Sequence, residues 1–209
     1  MTAWTLVLPV KGGPLAKSRL GARPEVAAAL ALDCLDAVLA CPAVGRVLVV
    51  TSDPSTRAAA RALGALVVPE TRRGAGLVPA ITAGVRVAVL GCAGPTAVLL
   101  ADLPALRPED LDIALAAVEA RLVDGTSPMC AVPDAEGSGT VLLAARTPAD
   151  LDPAFGPDSL AEHVRRGASR LDLALPRLRR DVDTPADLEV ALALGVGPRT
   201  ATALRDRTA

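Results

Sequence analysis

Short apolar runs alternate with longer amphipathic segments over the first part of the chain. Apolar runs of this length, bounded by glycine, proline or polar residues, are typical of strands buried in a parallel sheet. Between these runs, alanine, leucine and valine recur at helical spacing around charged residues. The pattern predicts strands at 4–10, 46–51, 65–68 and 97–101, and helices at 24–41, 54–63, 78–89 and 108–122.

Beyond residue 122 the regular alternation loosens. Strands are predicted at 129–132 and 140–145, and the polar, glycine-bearing segment between them resembles a hairpin connection. We therefore expect this pair to add antiparallel strands to the sheet. The remaining predicted elements are a helix from Asp158 or Ser159 through Arg166, a strand at 171–178, and a helix at 186–194 capped by Thr184.

The order of these elements predicts an α/β fold class, with a mostly parallel sheet, helices on both faces and added antiparallel strands. A chain of 209 residues that is 51% hydrophobic can bury one sizeable core. The sequence has no internal repeat and no linker long enough to divide it. One domain is therefore expected over residues 1–195, followed by a C-terminal tail of undetermined order at 196–209.

Charge limits the kinds of partner that the chain can bind. The 22 basic and 23 acidic side chains nearly cancel, which excludes the positive surface typical of proteins that bind nucleic acid or an anionic membrane. Small molecules are the expected partners. The first apolar segment has no charged leader and is too short for a signal peptide or a membrane span, so a cytoplasmic location is expected.

The cysteines are scattered and have no metal-ligand spacing. Because most of them lie in apolar surroundings, we expect buried free thiols. The four residues are Cys34, Cys41, Cys92 and Cys130.

Asp102 directly follows the apolar run 97–101, at the expected carboxyl end of a central strand. Ligands of open α/β sheets bind at this edge, so the carboxylate is a candidate ligand for a cation bound to phosphate. The alternative is structural, because an aspartate after a strand commonly hydrogen-bonds the turn before the next helix.

A second acidic pair lies near the end of the chain. Asp181 and Asp183 are two residues apart, so in an extended segment both carboxylates point to the same side. With Asp102 they supply three oxygen ligands for Mg²⁺, which binds carboxylates together with phosphate oxygens and waters. Helix capping and surface solvation are the alternative for this pair alone. Since such a site neutralises phosphate charge, the set favours phosphoryl or nucleotidyl transfer.

Two loops carry candidate phosphate-binding groups. Lys11, Lys17 and Arg19 lie in a glycine-bearing loop after the first strand, and they include the only two lysines of the chain. Glycine permits close approach of the backbone, and the cations suit a triphosphate, although a solvated basic loop gives the same pattern. The second loop is polar and contains Gly76, shortly before a predicted helix.

The chain contains no tyrosine and a single histidine, His163, so a Ser-His-Asp relay has one histidine to use. His163 follows Ser159 by four residues on the predicted helix, so the two side chains share a face. A structural role, in packing or in orienting the loop, is favoured. A hydrogen bond to a substrate anion is the alternative.

Six segments, taken in their order, resemble the 2-phospho-L-lactate or phosphoenolpyruvate guanylyltransferases of coenzyme F-420 biosynthesis. The resemblance runs from about residue 5 to residue 195, and its specificity lies in the order of the motifs. The segments are Pro9-Val10-Lys11, Ala16 to Leu20, Ala101 to Leu106, Gly139-Thr140, Phe155 to Ser159 with His163, and Asp181 to Leu188.

The resemblance implies a single-domain nucleotide-diphospho-sugar-transferase-like fold of the Rossmann-like kind. It implies an enzyme that uses Mg²⁺, GTP and a three-carbon phosphorylated carboxylic acid, with a downstream transferase that consumes the guanylylated product. The implied catalytic and metal-binding residues are Asp102, Asp181 and Asp183. The implied contacts to the acceptor come from Thr140, Gly156 and Ser159, and those to the nucleotide from Lys11, Lys17, Arg19 and Gly76.

Two positions depart from the family pattern. The family usually has Gly-Leu-Asn where this chain has Gly76-Leu77-Val78, and an asparagine where this chain has Val141. Both changes remove a polar group expected near the nucleotide or the acceptor. The alternatives are a molybdenum-cofactor or sugar-phosphate nucleotidyltransferase on the same fold, and a nucleotide-binding module without turnover.

Overall fold

A seven-stranded sheet organises the computed structural model, which describes residues 3–10, 24–70, 76–91 and 94–206. The strands are β1 (Trp4–Pro9), β2 (Val44–Val50), β3 (Leu66–Val68), β4 (Thr96–Leu99), β5 (Met129–Pro133), β6 (Thr140–Ala145) and β7 (Ala168–Arg170). Their order across the sheet is β3-β2-β1-β4-β6-β5-β7. Neighbours pair in parallel except that β6 runs antiparallel to β4 and β5. The predicted antiparallel hairpin is therefore confirmed.

Helices lie on both faces of the sheet, which confirms the predicted fold class. They are α1 (Pro24–Ala40), α2 (Pro54–Ala62), α3 (Leu77–Gly91), α4 (Pro108–Leu122), α5 (Ser159–Arg165), α6 (Pro176–Arg179), α7 (Pro185–Leu194) and α8 (Pro198–Arg205). Within the described ranges, none of these helices has the length and apolar character of a membrane span.

Alternate side chains of β1 enter two separate cores. Leu6 and Leu8 pack with residues of α1 and α4 on one face, whereas Val7 packs with residues of α3 on the other. Every residue of β1 is buried. A strand covered on both faces has no solvent-facing side that would favour polar residues, which explains why β1 is apolar except for the buried Thr5.

The strand predicted at 171–178 is wrong. The last strand, β7, lies just before this segment, and its pairing with β5 ends where the Leu171 N–H donates to the Ala131 carbonyl at 2.9 Å. Leu171, Leu173 and Leu175 have the two-residue period of a strand, but they are only partly buried, against the core that contains α1 and α4. Pro176 then begins α6, because its fixed φ suits the first turn of a helix.

Three of the four cysteines lie in the described residues, and they are buried free thiols as predicted: Cys34, Cys41 and Cys130. Burial raises the pKa of the Cys130 thiol to about 11, so this group stays protonated near neutral pH. Cys92 lies outside the described residues.

Helix α8 lies in the segment predicted as a C-terminal tail, and it packs against α1. Asp33 of α1 is buried and accepts hydrogen bonds from the N–H groups of Arg199 and Thr200, at 3.0 and 2.8 Å. These N–H groups stand in the first turn of α8, where a helix offers them no partner. Gly197 permits the approach, because a Cβ there would lie 2.3 Å from the carboxyl carbon of Asp33.

The same C-terminal segment braces the loop that follows β4. The Gly197 N–H donates to the carbonyl of Pro104 at 2.9 Å, and the Arg107 guanidinium donates to the carbonyl of Gly195 at 2.8 Å. The braced loop contains Asp102. The position of this carboxylate therefore depends on the end of the chain as well as on the sheet.

We predict that Asp33→Ala lowers the free energy of unfolding by about 2–4 kcal/mol, because two N–H groups in the first turn of α8, one of them buried, lose their carboxylate acceptor. Asp36→Ala is the matched control. Asp36 is on the same helix and pairs with the Arg199 side chain at the surface, so its loss costs less than about 1 kcal/mol. Urea unfolding of both variants measures the difference, and equal losses would contradict the capping role of Asp33.

Candidate active site

Asp102 lies two residues beyond Leu100, whose N–H donates to the carbonyl of Val141 in β6 at 3.0 Å. The carboxylate thus stands just beyond the carboxyl end of β4, as predicted, with parallel β1 on one side of the strand and antiparallel β6 on the other. Because β6 runs the opposite way, its first residue lies at this same edge. The pairing of Leu99 with Leu142, extended by two residues, brings Thr140 opposite Ala101.

The Asp181–Asp183 segment joins this edge through its backbone. The N–H of Val182 donates to the carbonyl of Asp102 at 3.0 Å, and the Val182 side chain is completely buried. Asp181 is half-buried and Asp183 is exposed on either side of that buried valine. The structure therefore brings the three predicted carboxylate residues together at one edge of the sheet.

Helix α7 begins directly after this segment and holds it in place. Thr184 caps the helix as predicted, and its N–H donates to the Asp187 carboxylate at 2.8 Å, which forms a capping box. The Asp183 N–H also donates to Asp187, at 3.3 Å. The acidic pair thus stands on a short segment that is anchored on one side to the β4 loop and on the other to a capped helix.

Burial and neighbouring negative charge act together on Asp181. Burial, followed by the charges of Asp102, Asp183 and Asp134, raises the pKa of the Asp181 carboxyl to about 7. Like charges close together disfavour ionisation. The site therefore concentrates negative charge that a cation can neutralise.

Sequence reasoning missed two acidic residues of the β5–β6 hairpin, Asp134 and Glu136. Carboxylate oxygens of Asp134, Glu136 and Asp181 lie within 4.8 Å of one another. Both loop residues already have protein partners, since Asp134 accepts from the N–H of Gly139 at 2.8 Å and Glu136 accepts from Arg180 at 2.6 Å. The sequence held one signal for Asp134 and Glu136. They follow β5, which runs in the same direction as β4, so the hairpin leaves the sheet at the edge where Asp102 lies.

Two arginines fasten the hairpin to the Asp181 segment. Arg179 donates to the carbonyls of Pro133 and Asp134, with a shortest distance of 2.8 Å. Arg180 pairs with Glu136 at 2.6 Å and with Asp187 at 3.1 Å. These contacts position the backbone on which Asp181 stands.

Thr140, Gly156 and Ser159 form a second group beside the first. The N–H of Leu160, in the first turn of α5, donates to the carbonyl of Ser138 in the hairpin at 3.1 Å, while the Ser159 N–H donates to the carbonyl of Gly156 at 3.2 Å. Thr140 and Ser159 are buried, and Gly156 is exposed. The three predicted acceptor contacts therefore meet around the end of the hairpin.

His163 connects this group to β6. It is completely buried, its Nδ1 lies 2.9 Å from Oγ1 of Thr140, and the N–H of Ala154 donates to its Nε2 at 2.9 Å. Burial lowers the pKa of His163 to about 4, with a smaller effect from the charge of Arg166. Both ring nitrogens are engaged by protein groups, which agrees with the structural role and leaves neither free for a substrate anion.

The predicted nucleotide contacts fall mostly outside the described residues, which include Gly76 but not Lys11, Lys17 or Arg19. Gly76 has a φ of 105°, a conformation that favours glycine, and it stands immediately before α3. Two residues depart from the family pattern. Val141 is completely buried in a core, whereas Val78, in the first turn of α3, is partly buried against the core between α3 and the sheet. Val141 therefore serves packing at its position.

A mixed sheet with carboxylates gathered at the carboxyl edge of its parallel strands suits nucleotidyl transfer, and the family comparison shows that the chain is a nucleotidyltransferase. Residues 27–173 match the MobA-like NTP transferase domain family. The chain belongs to this family and, within it, to the phosphoenolpyruvate guanylyltransferases. It is a guanylyltransferase.

Alignments with curated relatives support this assignment over almost the whole chain. The phosphoenolpyruvate guanylyltransferase of Geodermatophilus obscurus is 50% identical, and the alignment covers 97% of this chain and 94% of the relative. The enzyme of the same name from Streptomyces coelicolor is 49% identical, with coverage of 95% and 94%.

Solved structures agree on the fold. A protein described as a nucleotide-diphospho-sugar transferase, from Desulfovibrio desulfuricans G20, superposes with a TM-score of 0.68 at 17% identity, covering 100% of this chain and 96% of its own. CMP:2-keto-3-deoxy-manno-octonic acid synthetase gives 0.60 at 18% identity, covering 92% and 98%. At these identities the likeness establishes the fold alone.

We predict that Asp181→Asn raises the melting temperature of the metal-free protein at pH 8 by roughly 3–10 °C. The folded-state pKa lies above the ordinary value of 3.8, so ionisation of this carboxyl opposes folding, and asparagine cannot ionise. The gain is largest above pH 7 and shrinks as the pH falls towards 4. His163 titrates in the opposite sense, but it is common to both proteins and cancels in the difference.

Asp172→Asn is the control for this experiment. Asp172 is exposed, and its ion pair with Arg170 lowers the pKa of its carboxyl, so the substitution brings no gain at pH 8. Thermal melts of the three proteins between pH 4 and 8 provide the measurement. A melting temperature for Asp181→Asn at or below that of the unmodified protein at pH 8 would contradict the unfavourable ionisation of Asp181 in the folded protein.

Proposed function

We propose that the protein transfers GMP from GTP to the phosphate of a small phosphorylated carboxylic acid, phosphoenolpyruvate or 2-phospho-L-lactate, and releases pyrophosphate, in coenzyme F-420 biosynthesis. The observation that carries the proposal is the 3.0 Å hydrogen bond from Val182 to Asp102, which unites two acidic segments at the ligand-binding edge of the sheet. The names of the curated relatives support phosphoenolpyruvate as the acceptor.

Mg²⁺ fits the donor set of this edge. Asp102, Asp181 and Asp183 are hard oxygen donors close together, and burial, followed by the neighbouring negative charges, raises the pKa of Asp181. Mg²⁺ prefers such carboxylates together with phosphate oxygens and waters. In the proposal these three residues hold the ion, which supplies charge neutralisation at the phosphates when it is bound. Asp134 and Glu136 shape the hairpin, since each already binds a protein group.

The reaction needs little proton transfer from the protein. A phosphate oxygen of the acceptor attacks the α-phosphorus of GTP, and the bond from that phosphorus to the bridging oxygen of pyrophosphate breaks. The attacking oxygen is already anionic near neutral pH. A chain whose single histidine is buried and neutral suits this chemistry.

The contacts to the acceptor and to the nucleotide are assigned by the position of each residue along the edge of the sheet. In the proposal, the acceptor contacts Thr140, Gly156 and Ser159, which surround the hairpin end beside Asp102. Gly76 stands before α3, which begins at the carboxyl edge of the parallel strands, and it contacts the nucleotide. Lys11, Lys17 and Arg19 meet the triphosphate.

The acceptor is tested by pyrophosphate release from GTP with each candidate in turn: phosphoenolpyruvate, 2-phospho-L-lactate and 3-phosphoglycerate. A downstream transferase that consumes the guanylylated product is included, so that an unstable product does not stall the reaction. Release with phosphoenolpyruvate or 2-phospho-L-lactate is expected. Binding of GTP without release for any acceptor would contradict the proposal.

We predict that Asp102→Asn lowers kcat about 100-fold or more and leaves the fold intact, because one ligand charge is lost while the side-chain shape is kept. Added Mg²⁺ is expected to raise the melting temperature of the unmodified protein but not that of the variant. Asp124→Asn, in the exposed turn after α4 at the other edge of the sheet, is the control for turnover. Near-normal turnover of Asp102→Asn at ordinary Mg²⁺ would remove Asp102 from the metal site.

A further inference from the structure

The hydrogen bonds of His163 determine where its single ring proton lies. The N–H of Ala154 donates to Nε2 at 2.9 Å, and a backbone N–H can only donate, so Nε2 carries no proton. In the neutral ring the proton is then on Nδ1. Because Nδ1 lies 2.9 Å from Oγ1 of Thr140, the histidine donates to the threonine.

This direction of donation constrains the Thr140 hydroxyl. A hydroxyl has one proton and two lone pairs, and here His163 occupies one lone pair. Among the described residues, His163 is the hydrogen-bond partner of this hydroxyl. The hydroxyl proton is therefore directed away from the ring and is available to a different acceptor.

We propose that His163 is a positioning residue that makes the Thr140 hydroxyl a hydrogen-bond donor to an anionic oxygen of the acceptor substrate. The inference rests on the proposed function, which sets the acceptor beside Thr140. A phosphate or carboxylate oxygen accepts but does not donate at neutral pH. With the opposite tautomer, the hydroxyl proton would point at the ring, and the substrate anion would face only oxygen lone pairs.

The surroundings keep this arrangement rigid. His163 is fully buried, and the ring of Phe155 lies edge-on to it with centroids 5.0 Å apart. Thr140 is 2% exposed, so bulk water has little access to reorient its hydroxyl. A pKa near 4 keeps the imidazole neutral over the physiological range.

The first test observes the tautomer directly. His163 is the only histidine of the chain, so a long-range ¹H–¹⁵N correlation spectrum of the ¹⁵N-labelled full chain shows one imidazole without assignment. We expect a protonated Nδ1 and an unprotonated Nε2 from about pH 5.5 to 8. A protonated Nε2 would overturn the inference.

The second test is a double-mutant cycle of Thr140→Val and His163→Leu, read as pyrophosphate release. Each single variant is expected to lower kcat/KM for the acceptor about 10- to 100-fold, because a charge-assisted hydrogen bond is lost, and to change KM for GTP less than about twofold. The double variant is expected to be no worse than Thr140→Val. An equal further loss from His163→Leu in that background would show a purely structural role and overturn the inference.

Two more variants distinguish the loss of a hydrogen bond from misfolding. His163→Gln, whose carboxamide offers one acceptor and one donor group, is expected to recover most of the activity that His163→Leu loses. Thr96→Val replaces a buried threonine at the far end of β4, and it leaves the acceptor constants unchanged. Melting temperatures of all variants show that each is folded at the assay temperature.

The two proposals fail in different ways. If the unmodified protein releases no pyrophosphate with any acceptor, the proposed function is wrong and this inference falls with it. If the unmodified protein turns over normally but the cycle is additive or Nε2 is protonated, the proposed function stands and the role of His163 is wrong.

Discussion

The hydrogen bond from the Val182 N–H to the Asp102 carbonyl is the constraint on which the site depends. It joins a loop after the central strand to a segment near the end of the chain, and the buried Val182 side chain packs with Leu30 and Leu188 in a small core of its own. Burial, followed by the charges of Asp102 and Asp183, raises the pKa of Asp181, so the carboxylates that this bond brings together oppose one another's ionisation. The fold must therefore hold them by contacts elsewhere. It does so with the capped start of α7 and with the two arginines that clamp the hairpin.

The antiparallel strand β6 brings the start of a strand to the carboxyl edge of the sheet. In a purely parallel sheet, only residues that follow strands reach the carboxyl edge. Because β6 runs the other way, a residue that begins a strand, Thr140, reaches it too. The Thr140 hydroxyl, which is proposed to contact the acceptor, thus stands at the start of a strand and is hydrogen-bonded to the buried His163. Asp102 and Thr140 thus reach one edge of the sheet from neighbouring strands that run in opposite directions.

Much of the fold was accessible from the sequence, because parallel strands covered on both faces leave unbroken apolar runs and helices leave a 3.6-residue period. The position of Asp102 followed from the same pattern. The strand predicted at 171–178 failed because alternate leucines there pack against a helical layer, a choice that a two-residue period does not reveal.

Other features depend on tertiary contacts that no local pattern encodes. The approach of Asp134 to Asp181 depends on the contacts of Arg179 and Arg180 with the hairpin, and the tautomer of His163 depends on the backbone N–H of Ala154. The bracing of the Asp102 loop by Gly195 and Gly197 also depends on tertiary contacts.

The contacts of Gly195 and Gly197 also affect when the site can form during synthesis of the chain. Because synthesis runs from the N-terminus, the strands through β4 emerge well before Gly195 and Gly197, which support the Asp102 loop. The edge that carries the proposed metal-binding carboxylates is therefore completed only after the segment that follows the sheet has been made, so the strands of the site can form before their final support.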